Sequence, residues 1–98
     1  RIFQQIGEAK KMSKAYTVIL KETVQKQLKR LPAAYFKKVK AAILSLEDNP
    51  RPHGAIKLKG GNNEYRIRVG VYRILYSVQD DILTVYIFDI YHRKQVYR

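Results

Sequence analysis

A chain of 98 residues has room for one domain, and 46% hydrophobic content is enough to pack a single core rather than leave a disordered coil. Twenty Lys and Arg against eight Asp and Glu leave a net charge of +12, an excess that strains a compact fold by self-repulsion and points to a polyanionic partner, nucleic acid first. The absence of cysteine excludes disulfides and thiolate metal sites and fits a reducing cytoplasm, and no apolar run is long enough for a membrane-spanning helix.

Met12-Ser13-Lys14 reads as a natural start, so residues 1–14 are set apart as an extension or tail and residues 15–98 as the domain. Ala15–Leu20 is rich in β-branched and aromatic residues and predicts a first strand. Val24, Leu28 and Leu31 then recur at helical spacing, with Lys26, Lys29 and Arg30 on the other side. Pro32 interrupts this helix, because the residue before proline is pushed out of helical geometry while proline itself suits the start of a new helix. Phe36, Val39, Ile43 and Leu46 form the stripe of a second helix ending near Asp48-Asn49-Pro50. Residues 49–63 are mostly loop, with a short extended piece at Ile56–Lys59, and His53 there has no assigned role. Three strand-like runs follow: Tyr65–Val69, Tyr72–Val78 and Ile82–Tyr91. The order β-α-α-β-β-β, with hairpin-length connections late in the chain, predicts an α+β fold in which a helical hairpin packs on a small antiparallel sheet.

Gly70-Val71 suits a two-residue type II′ turn. The resulting register pairs Val69 with Tyr72, Arg68 with Arg73, Ile67 with Ile74, Arg66 with Leu75 and Tyr65 with Tyr76. Period-2 alternation gives the apolar set to the helices and brings Arg66, Arg68 and Arg73 out together on the opposite face. Like charges directly across a sheet are destabilising, so a bound anion is the expected compensation, and planar guanidinium groups match phosphate. His92, Arg93 and Tyr97 close the chain beside this face with side chains able to stack on an unpaired base. Lys57 and Lys59 are further candidates for phosphate contacts. Neither the two histidines, 39 positions apart, nor any Asp/Glu pair suggests a metal site, so no metal or cofactor is expected.

From Ala15 to Arg98 the chain resembles the RelE/ParE superfamily of bacterial and archaeal toxins. The resemblance rests on the helical pair ending in LEDNP, on IKLKG, on YRIRVGVYRILYSV and on the closing YHRKQVYR. It implies a cognate antitoxin partner and growth inhibition, with operon DNA bound only by the toxin–antitoxin complex. RelE-like members cleave mRNA in the ribosomal A site, whereas ParE-like members poison DNA gyrase. The motifs place Arg66 and Arg68 where the RelE type carries lysines, Arg73 at its strand arginine, and Arg93 and Tyr97 at its terminal pair. The favoured expectation is therefore metal-independent RNA cleavage by 2′-OH attack. In it Arg68 and Arg73 stabilise the phosphorane and Arg66 orients the phosphate. Arg93 assists the leaving group, Tyr97 stacks on the nucleotide, and His92 serves as base or acid because its pKa lies nearest neutrality. Guanidinium groups at 66 and 68 cannot be neutral bases, and Tyr91-His92 departs from the family's glycine-plus-basic pair. A gyrase inhibitor and a non-catalytic RNA-binding protein are the alternatives.

Overall fold

The computed structural model describes residues 15–95, so the tail at 1–14 and the terminal Tyr97 lie outside it. The chain runs through β1 (Thr17–Leu20), α1 (Glu22–Lys29), α2 (Ala33–Ser45), β2 (Ile56–Lys57), β3 (Glu64–Val69), β4 (Tyr72–Gln79) and β5 (Thr84–His92). Short 3₁₀ turns at Asp80–Ile82 and Arg93–Gln95 follow β4 and β5. Pro32 stands at the head of α2 in extended geometry, and its carbonyl accepts from the amides of Tyr35 and Phe36. Proline thus ends one helix and opens the next, as its fixed φ requires.

The five strands lie in the order β1-β5-β4-β3-β2. The α+β class and the helical hairpin on one face hold, but the sheet is mixed: β2 to β5 are antiparallel, whereas β1 pairs parallel with β5. The cause is connectivity. The helices carry the chain from β1 to the far edge of the sheet, and an antiparallel meander then walks back until β5 lies beside β1, running the same way. The extended piece expected at 56–59 supplies the two-residue strand β2.

Val24, Val39, Ile43 and Leu46 from the helices meet Ile67, Ile74, Tyr76, Val78, Val85, Ile87 and Ile90 from one face of the sheet. Tyr76 is fully buried, and its hydroxyl donates to the Pro50 carbonyl at 2.8 Å. Burial pushes this phenol up to about 12. The hydrogen bond fixes the loop after α2 against the middle of the sheet. Among the described residues, no helix lies on the other face of the sheet.

Candidate nucleic-acid interface

The β3–β4 hairpin has the register that its sequence predicts, from Val69↔Tyr72 to Tyr65↔Tyr76. Gly70 has φ +61° and Val71 does not have a positive φ, which are the signs of a type II′ turn. Glycine is needed twice over, because a Cβ there would also lie 2.9 Å from the ring of Tyr35 on α2. Arg68 therefore stands directly across from Arg73, and Arg66 lies two residues along on the same face, between Leu75 and Ile56.

The cluster is electrostatically loaded. Loss of solvent contact holds the Arg73 guanidinium below the ordinary arginine range, and the positive charges of Arg68, Arg66 and Arg93 push it the same way. Tyr91 acts in the opposite sense. Arg66 has its Nε buried without an acceptor among the described residues. Arg93 sits in the turn after β5, and its amide donates to the Val71 carbonyl at 2.7 Å, tying the end of the chain to the hairpin tip. Four guanidinium groups from three segments thus converge, an arrangement that can hold phosphate oxygens.

The remaining candidates are distributed differently. Tyr76 pairs with Ile87 and Leu75 with Asp89, which leaves Phe88 as an extra residue, a β-bulge in β5. Beyond it the faces exchange: Tyr91 pairs with Arg73 on the arginine face, and His92 pairs with Tyr72 on the helix face. The His92 ring meets Tyr72 edge-on at 5.4 Å, and its Nδ1 accepts from the Lys94 amide at 3.0 Å. His92 is therefore separated from the guanidinium cluster by the sheet. Lys57, opposite Tyr65, also belongs to the helix side of the sheet, and Lys59 lies beyond the strand in a turn. His53 lines an open cleft of about 510 Å³ between α2, the 52–54 loop and the Arg68 end of β3.

Residues 18–97 match the family described as the ParE toxin of the type II toxin–antitoxin system, parDE. The chain belongs to this toxin family. It is 35% identical over 86 residues to the protein named as toxin RelE1 of Methanocaldococcus jannaschii, covering 85% of this chain and 96% of that one. A second protein of that organism, toxin RelE3, is 36% identical over 84 residues, covering 82% and 93%. The crystal structure of the archaeal RelE–RelB complex from Pyrococcus horikoshii contains a chain superposing with a TM-score of 0.74 at 32% identity, covering 81% of this chain and 96% of that chain.

Sequence reasoning about this toxin fold missed two groups. The first is Tyr91, whose only sequence signal is the lapse of alternation from Val85 and Ile87 to Ile90. The second closes the opposite end of the sheet. Arg51 donates twice to Asp80, at 3.2 and 2.7 Å, and its Nε donates to the Tyr65 hydroxyl at 2.8 Å. The Tyr16 hydroxyl donates to Asp80 at 2.6 Å. Arg51 and then Tyr16 hold the Asp80 carboxyl below the usual range, and Asp80 in turn raises the Tyr16 phenol. These residues are scattered along the sequence, with no spacing that would have joined them.

Proposed function

We propose that this toxin cleaves mRNA on the ribosome without a metal, through attack of the ribose 2′-OH on the adjacent phosphorus. The observation that carries the reading is Arg68 directly across from Arg73, with Arg66 and Arg93 in the same field. The O2′–P bond forms as the P–O5′ bond breaks, leaving a 2′,3′-cyclic phosphate. The 2′-OH proton passes to water, and the departing 5′-oxygen takes one up from water. Arg68 and Arg73 stabilise the pentacovalent phosphorane, Arg66 orients the phosphate, and Arg93 neutralises charge on that oxygen. Tyr97 stacks on the nucleotide. His92 supports the turn that carries Arg93, through the Lys94 amide and the Gln95 side chain, which accepts from the His92 amide at 2.8 Å. A cognate antitoxin, by analogy with the RelE–RelB neighbours, neutralises the toxin, and the pair rather than the free toxin binds operon DNA. The setting is the cytoplasm, and no helix among the described residues is long and apolar enough to cross a membrane.

The test is a translation extract programmed with a defined mRNA. Codon-phased cuts are expected with the wild type. With Arg73→Ala the cleavage rate is expected to fall by roughly a hundred- to a thousand-fold, the usual effect of losing one preorganised donor, while antitoxin binding is retained. The family description also names ParE, which keeps a second reading: inhibition of gyrase with the arginines as contacts. Intact mRNA together with trapped gyrase–DNA breaks would select that reading instead.

A further inference from the structure

The bulge at Phe88 decides which aromatic ring joins the arginines. With unbroken alternation Tyr91 would follow Val85 and Ile87 into the core and His92 would stand among the cations. The extra residue reverses both, because one added position flips every later side chain to the other face. Residues directly opposite in an antiparallel pair have Cβ atoms about 4.5–5.5 Å apart. Tyr91 is thus an immediate neighbour of Arg73, half-buried and on the face that, among the described residues, carries no helix.

Arginines alone recognise phosphate whether the strand is single or paired. An aromatic ring beside them adds a requirement for an unstacked base, which only a single strand offers. We propose that Tyr91 is a stacking platform that takes the nucleobase of the nucleotide whose phosphate Arg73 holds, and so gives the site its preference for unpaired RNA. The inference rests on the arginine face being an RNA site, and it names a specificity residue within that site. The ring adds an aromatic surface rather than a fifth cation to a field of four guanidinium groups. It can therefore hold a base without competing for the phosphate.

The chain contains no tryptophan, so Tyr91→Trp introduces a single indole reporter at the position in question. Two probes are titrated at low salt: a short single-stranded oligoribonucleotide, 2′-O-methylated so that it cannot be cut, and an abasic strand of equal length and charge. The base-bearing strand is expected to quench the indole and the abasic strand to leave it unchanged. Tyr91→Ala should bind the base-bearing strand about ten-fold or more weakly, whereas Tyr91→Phe keeps wild-type affinity. All three proteins should bind the abasic strand alike, and thermal melts establish that the variants are folded. The proposal is overturned if Tyr91→Ala binds the base-bearing strand as tightly as the wild type. It is also overturned if both strands quench equally, or if the wild type does not prefer the strand with bases. The ribonuclease reading is scored separately: base-dependent quenching with mRNA left intact on ribosomes would sink that reading and leave the platform standing. Phased cleavage with unchanged Tyr91→Ala binding would do the reverse.

Discussion

Arg68 opposite Arg73 is a pairing that folding alone disfavours, since two like charges share a cross-strand site. If the pair is kept for an anion, Arg68→Thr should raise the melting temperature while RNA cleavage falls. A variant that melts lower would show that the arginine serves the fold rather than the ligand. Leu83 is the other residue held against its preference. Its φ of +48° is a left-handed conformation that costs a β-carbon-bearing residue about 1–2 kcal/mol, and asparagine tolerates it better. The residue is 47% exposed, so little apolar burial would be forfeited. Leu83→Asn should therefore stabilise by up to about 1 kcal/mol, a rise of roughly 4–8 °C for a domain of this size. Scanning calorimetry reads both substitutions. At this scale the hairpin arginines were legible in the sequence, because a Gly-first turn and strict alternation leave only one register. Leu83 was not, since nothing in its type announces a positive φ.

Among the elements, the helices and the hairpin follow from apolar spacing, whereas β5 follows a rule that alternation does not contain. The bulge coincides with the point where β1 ends as a partner: Leu20 is paired with Ile87, and beyond it α1 takes over. The side chain of Gln27 accepts from the Ile90 amide at 3.1 Å and donates to Asp89 at 3.1 Å, standing in for a missing strand. Gln27→Leu would leave the Ile90 amide without its acceptor, at a cost of about 1–3 kcal/mol if water does not reach it. Amide exchange at Ile90 should accelerate well before exchange in β4, and unchanged protection there would contradict the role given to Gln27. Such a glutamine, half-buried beside the apolar stripe of its helix, carries no signature in the sequence. Its partner lies 63 residues away. The exchange of Tyr91 for His92 on the arginine face has the same origin: it depends on a tertiary contact that decides where one extra residue is accommodated.

Across the whole molecule, the two ends of the sheet have different electrostatic tasks. At one end the cations of Arg66, Arg68, Arg73 and Arg93 gather, and at the other Asp80 ties Arg51 and Tyr16 together across the loop and the first strand. Asp80 has a lowered pKa when folded, so its contribution is present above the ordinary carboxylate range near 3.8 and is lost as the pH falls through the folded value. Tyr16, raised above 10.0, contributes up to that pH and loses its share in stronger base. Asp80→Asn should therefore melt below the wild type at neutral pH, and the difference should close as the pH is taken below about 4. A gap that does not narrow at all as the pH is lowered through the acid range would show that the carboxylate's charge is not what matters.

The parallel pairing of β1 with β5 sets the order in which the molecule can be finished. Thr17–Leu20 finds its partner only at Thr84–Ile87, after the helices and three intervening strands. During synthesis β1 must wait for its sheet partner until β5 has emerged. The arginine face is finished equally late, because Tyr91 lies in β5 and Arg93 in the turn after it.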